Sequence, residues 1–294
     1  MSAWPQRCVC LLLVAVTPFL CTAAREDGDF ITPANYTQFC NSNESLLAGR
    51  PRGIVLEFPG LGGGSCLGGR MDMVAYTNSW SKFPEATARA GLVHLYTMPG
   101  PWSWMNPGAV RLCDLLVDAV RRKFGLAADT PLVACGGSMG GLGALVYAAT
   151  SRHRVTACAA ACPCYDVPAL YGCKSSFPRT FLSAIAACDM PLEKGLEAIS
   201  PAHLVGRMPD IPYLVVCDGA DEIFPEAGMD AYVARLRAAG RDVEYVKLPG
   251  LAHGRFTPEA RERFHAFVTS CASSPGRENR LSSRKKEGGR SEEP

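Results

Sequence analysis

Residues 131–141 read Pro-Leu-Val-Ala-Cys-Gly-Gly-Ser-Met-Gly-Gly, and the small, apolar stretch 139–150 continues from them. The pattern predicts a short buried strand at 131–135, a tight turn, and a helix that begins beside Met139. Gly136, Ser138 and Gly140 form a G-x-S-x-G sequence, and its place between a strand and a helix is what makes it informative. Such a turn holds its serine in a strained backbone conformation with the hydroxyl exposed. Side chains two positions to either side would collide with the neighbouring strand and helix, so glycine is the residue the turn accepts. The helix start turns free N–H groups and a positive dipole end toward developing negative charge. Glycine-rich turns before helices also hold phosphates, but no lysine follows these glycines as a phosphate loop requires.

Outward from this turn, strand and helix patterns alternate. Strand patterns lie at 53–58, 92–96, 131–135, 155–161, 211–217 and 243–248. Helical patterns lie at 83–90, 110–124, 139–150, 225–239 and 258–270; in the second, apolar residues recur on one face at 110, 112, 115, 116, 119, 120 and 124. Strands joined by helices pair in parallel through crossover connections, and apolar strands without alternation suit a sheet covered on both faces. The expected fold class is α/β, a mostly parallel central sheet with helices on both faces. The longest connection, about 164–210, reads as a small insertion after the strand at 155–161.

A serine hydroxyl needs a base, and the base needs an orienting group. Two loops at the carboxyl ends of strands supply candidates, and sites in open α/β sheets collect there. Asp218-Gly-Ala-Asp221-Glu222 follows strand 211–217, and His253-Gly254 follows strand 243–248. Of the histidines at 94, 153, 203, 253 and 265, His253 alone sits in a Gly-flanked loop just after a core strand. Ser138, Asp221 and His253 are therefore the candidate catalytic residues. Asp218 is the near rival for the acid and Asp166 the reserve; Glu222 is read as pointing outward. Acyl transfer also needs two N–H groups aimed at an oxyanion. Met139 is placed to give one, and Leu61, or Gly62 next, to give the other from the loop after the first core strand. The lesser reading of that loop is a flexible glycine turn. Trp102, Trp104 and Met105 either wall an apolar substrate pocket or pack under the insertion.

The 294 residues are 48% hydrophobic and 20% charged, which excludes disorder along the whole chain. A net charge of +2 leaves no electrostatic footprint for nucleic acid. Residues 1–24 read as a signal peptide: Arg7, then an apolar run from Cys8 to Cys21, then small residues at Ala23 and Ala24. That run is too short for a comfortable membrane span, and no other stretch approaches 18 consecutive apolar residues, so no stable membrane insertion is expected after its removal, and the expected location is secreted or lumenal. Residues 25–52 form an N-terminal segment with glycosylation acceptors at Asn35 and Asn43, 53–272 the main domain, and 273–294 a disordered tail. Cys158, Cys162, Cys164, Cys173 and Cys188 crowd one segment; one or two disulfides suit an oxidising compartment better than a metal site, since their spacing matches no standard zinc pattern.

With these residues in view, the chain resembles the α/β-hydrolases, on G-G-S-M-G-G at 136–141, D-G-A-D-E-I-F-P at 218–225 and L-P-G-L-A-H-G at 248–254. Within them it is most similar to the catalytic domains of the prolyl oligopeptidase and dienelactone-hydrolase-like groups, with S-P-A-H-L-V at 200–205 as further support. It departs from them in having no room for a β-propeller, Pro59 where many relatives have His, and Ser138 where dienelactone hydrolases have Cys. The implied activity is a serine hydrolase that cleaves carboxylic esters through an acyl-enzyme, acting on a small ester or peptide and needing no cofactor or metal. A peptidase or amidase of prolyl-oligopeptidase type, and a noncatalytic binding protein on the same scaffold, are the alternatives.

Overall fold

The structure is a computed structural model and describes residues 30–61, 82–173, 177–186 and 188–273. Residues 1–24, read as a signal peptide, Gly62 and residues 274–294 lie outside the described residues. One seven-stranded sheet runs in the order β1-β3-β2-β4-β5-β6-β7. Its strands are β1 Cys40–Ser42, β2 Gly53–Phe58, β3 Leu92–Thr97, β4 Leu132–Gly137, β5 Ala157–Ala161, β6 Pro212–Asp218 and β7 Asp242–Leu248. β2 to β7 pair in parallel, and β1 is an antiparallel edge, with Cys40 opposite Thr97. The expected mostly parallel sheet is present. β1 lies in the N-terminal segment, where the pattern predicts no strand; three residues are too few to show a period.

Both faces of the sheet are apolar, and alternation along each strand divides them. Ile54, Leu56, Phe58, Leu132 and Ala134 join one core with α2 Pro107–Phe124, α3 Met139–Thr150 and α7 Glu226–Ala238. Val55, Val133, Cys135, Leu214 and Val216 join the other with α1 Phe83–Arg89 and α8 Pro258–Ser273. α2 begins three residues before its first apolar position, because Asn106 caps it by accepting from the Ala109 N–H and Pro107 occupies the first turn.

The connection between β5 and β6 holds α4 Val167–Leu170, α5 Phe177–Ile185 and α6 Leu192–Ala198. The Trp104 ring packs on Phe181 at 4.4 Å and edge-on to Phe177 at 6.1 Å. Trp104 is 1% exposed and Met105 3%, and both belong to the core. This corrects the substrate-wall reading for those two residues: Trp104 fills space beneath α5, and Met105 lies against α3 at Gly143. Trp102 stays partly exposed, with the Arg179 guanidinium 5.0 Å over its ring.

Two further expectations are corrected. Asn43 is fully buried, and its amide nitrogen donates to the Pro84 and Leu92 carbonyls and the Thr87 hydroxyl at 3.0–3.1 Å. Its oxygen accepts from the His94 N–H at 2.8 Å. The atom a glycan would occupy is thus committed to holding α1 and β3 together. Asn35 remains partly exposed. Cys158, Cys162, Cys164, Cys173 and Cys188 are all free thiols. The Cys162 thiol donates to Asp218, and those of Cys173 and Cys188 to backbone carbonyls one helical turn back.

A Cβ on Gly136 would lie 2.6 Å from the Gly140 backbone, and one on Gly140 would overlap the Phe58 carbonyl oxygen. Backbone cannot yield as a side-chain tip can, so Gly140→Ala should cost about 1–3 kcal/mol in urea unfolding. Gly49, with nothing within 4 Å of its Cβ position, is the control and should tolerate alanine. Trp104→Ala should lower stability by about 3–5 kcal/mol, the usual cost of emptying a buried aromatic site. A Trp104→Ala protein of unchanged stability that binds substrate poorly would restore the wall reading.

Candidate active site

Ser138 stands where β4 passes into α3, with φ 57° and ψ −123°. Its N–H donates to the Ala161 carbonyl at 2.8 Å, and its own carbonyl takes the Leu142 N–H, the first bond of α3. The glycines at 136 and 140 let β2 and α3 close on either side, and the hydroxyl is left partly exposed at the carboxyl edge of the sheet.

His253 lies in the loop after β7. Its Nε2 is 2.9 Å from Ser138 Oγ and its Nδ1 2.7 Å from Asp221 Oδ2. Asp221 is buried in the loop after β6, and its other oxygen accepts from the Ile223 and Phe224 N–H groups at 2.8 Å each. That fixes the carboxylate's rotation, so Oδ2 has one direction in which to point. The Phe224 ring meets the imidazole edge-on at 5.1 Å and holds its tilt. Three strand ends thus bring together residues 115 positions apart.

The rival acids do other work. Asp166 caps α4 by accepting from the Ala169 N–H. Asp218 accepts from the Gly254 and Arg255 N–H groups at 2.7 and 3.3 Å. Glu222 is exposed, and its carboxylate reaches the His253 N–H at 3.5 Å. The other histidines face elsewhere: His94 bonds Glu57, His153 lies against Arg121 and Asp118, and His203 meets Ser200. His265 stacks on Phe83 at 4.2 Å, and burial pushes its imidazole down to about 4.

Met139 is the first residue of α3, so its N–H is one of the unbonded amides at that helix end. A Cβ on Gly60 would lie 3.6 Å from Gly137 O and 3.9 Å from Ser138 Cβ, so the loop after β2 runs alongside the serine. Leu61 is described, with its side chain against the core; Gly62 is outside the described residues. The arrangement can move a proton from the serine oxygen to the imidazole and leave a carboxylate to balance the charge. One group among the described residues has the donor set for a metal: Cys162, Asp221 and His253, with ligand atoms within 4.8 Å of one another. In it Asp221 and His253 already bond each other, and burial beside Asp218 pushes the Cys162 thiol up. No helix among the described residues is long and apolar enough to cross a membrane.

Sequence reasoning missed Phe224 and Cys162. Phe224 follows Asp221 closely enough to be suspected, but an aromatic in a loop carries no sign of what it faces. Cys162 reads as one of a crowd, and its left-handed backbone, φ 42°, is invisible in the sequence.

Comparisons place this geometry among known proteins. A search of curated proteins finds no match. Among solved structures, a puromycin hydrolase is 16% identical with a TM-score of 0.58; the alignment covers 77% of this chain, which spans 34% of that one. The Pyrococcus horikoshii acylaminoacyl peptidase is 15% identical with a TM-score of 0.60, covering 79% of this chain and 38% of its own. A truncated form of a carbohydrate esterase from gut microbiota is 14% identical with a TM-score of 0.58, covering 76% of this chain and 87% of that truncated chain. At such identities these likenesses carry the fold, that of the α/β-hydrolases. The sequence model of the prolyl oligopeptidase family matches residues 113–272, more than half of the chain and inclusive of Ser138, Asp221 and His253. On that match the chain belongs to the prolyl oligopeptidase family.

Proposed function

We propose that the protein hydrolyses carboxylic esters through Ser138, His253 and Asp221. The observation that carries this reading is the continuous hydrogen-bond chain from Ser138 Oγ through the imidazole to Asp221, 2.9 and 2.7 Å long. Ser138 Oγ attacks the ester carbonyl while His253 Nε2 takes its proton. Asp221 keeps Nδ1 protonated and stabilises the imidazolium. The Met139 N–H and one from the loop at Leu61 or Gly62 bind the oxyanion. His253 returns the proton to the departing alcohol, and water, deprotonated by the same imidazole, then releases the acid from Ser138. Of the three residues expected to wall the substrate, Trp102 stays partly exposed and is the one we assign to the acyl group.

Peptide or amide cleavage is the second reading, and the family match favours it. The carbohydrate esterase among the structural neighbours supports the ester reading. The leader pattern at 1–24 and the partly exposed Asn35 support a secreted glycoprotein, with the mature chain starting near Ala24.

A fluorophosphonate probe should label the protein and leave Ser138→Ala unlabelled, with kcat/KM for p-nitrophenyl esters at least about 10⁴-fold lower in the variant. Failure of the folded protein to label would favour a noncatalytic binding role. Short p-nitrophenyl esters should be turned over faster than Pro-containing peptide amides of equal acyl group; the reverse order would make the protein a peptidase.

A further inference from the structure

The loop that carries His253 hangs from the end of β7, and few bonds locate it. The Gly219 N–H donates to Leu248 O at 2.8 Å and the Ala220 N–H to Leu251 O at 2.9 Å, which zips the start of the loop to the end of β6. Beyond Leu251 the chain turns through Gly254 at φ 72°. The Glu222 carboxylate reaches the His253 N–H at 3.5 Å, the Arg255 N–H meets the Ala252 carbonyl at 3.1 Å, and the one buried side chain that holds this stretch is Asp218. Asp218, the last residue of β6, is fully buried, and its Oδ2 accepts from the Gly254 and Arg255 N–H groups, the two amides just after the histidine. The same oxygen takes the Cys162 thiol at 2.8 Å. Cys162 follows β5, its N–H donating to Val216 O, and its left-handed backbone aims Sγ at the carboxylate. Asp218 Oδ1 carries no hydrogen bond among the described residues.

Two carboxylates therefore sit under one imidazole with separate tasks. Asp221 bonds the ring, and Asp218 bonds the backbone that carries the ring. We propose that Asp218 is a positioning residue, whose hold on the Gly254 and Arg255 amides, backed by the Cys162 thiol, sets where His253 stands between Ser138 and Asp221. This rests on the Ser138–His253–Asp221 reading above. The titratable groups set against Asp218 are Cys162 after β5, Cys217 beside it on β6 and Asp221 in its own loop, while the loop after β7 meets it with the backbone amides of Gly254 and Arg255. Burial and the nearby Asp221 push the Asp218 carboxyl above the usual aspartate value, while the thiol and the two amides pull it back.

The test compares Asp218→Ala and Asp218→Asn with the unaltered protein on one p-nitrophenyl ester, with kcat, KM and the pH profile of kcat/KM as readouts. Alanine removes the acceptor and frees the loop, so kcat should fall roughly 30-fold or more with KM within about threefold, the cost of a displaced catalytic base. Asparagine keeps an oxygen for both amides and can place its NH₂ where Oδ1 has no donor to displace. It should recover kcat to within about fivefold of the unaltered protein, since a neutral acceptor retains about half the strength of a charged one. The lost negative charge should move its acid limb to lower pH. An Asp218→Ala protein that keeps more than half its kcat, or an Asp218→Asn protein as damaged as the alanine variant, overturns the proposal. If the alanine variant does not fold, Asp218→Asn decides alone: an unmoved acid limb overturns it. Ser138→Ala separates the two levels, since a variant that still turns over ester refutes the triad reading and not this contact alone.

Discussion

The imidazole of His253 touches Ser138 on one side and Asp221 on the other, and both bonds exist only if the ends of β4, β6 and β7 arrive together at one edge of the sheet. Parallel pairing makes this possible, because every crossover returns the chain to the same edge. The six parallel strands, the apolar faces that cover them and the short strand ends all serve that meeting. The glycines at 136 and 140 are its tightest requirement. They let β2 and α3 approach until the Phe58 carbonyl fills the space a side chain would need.

Much of this was legible in the sequence, because each part has a local physical signature. A strand-like run, a glycine turn and a helix mark Ser138 without reference to anything distant. Aspartate and histidine in loops directly after core strands mark the other two, and a parallel sheet supplies the rule that such loops share an edge. The sequence favours Asp221 over Asp218, but the geometry that separates them is not written in it. The two lie three residues apart in one turn, closed by the Asp221 N–H on the Asp218 carbonyl, and only the path of that turn decides which carboxylate reaches Nδ1.

Other readings went astray where the deciding partner is far along the chain. Trp104 and Met105 look the same in sequence whether they face a pocket or a helix; α5, more than 70 residues later, brings Phe177 and Phe181 against the indole. The Asn43 tripeptide carries no sign of burial, yet its amide is spent on partners at 84, 87, 92 and 94. The crowded cysteines lie close in sequence but occupy a strand, a strained turn and helix ends. β1 is too short to have a period at all.

These parts imply a division of labour in the loop after β7, where a bonded carboxylate fixes the ring and a buried one fixes the backbone. Whether the three strand ends meet as described is most directly seen in a crystal structure of the phosphonate adduct. Convergence predicts phosphorus bonded to Ser138 Oγ, its free oxygen facing the Met139 N–H, with His253 Nε2 adjacent and Nδ1 within hydrogen-bond distance of Asp221. A phosphonate on any other residue, or an imidazole at 253 turned to another side of the molecule, would contradict it.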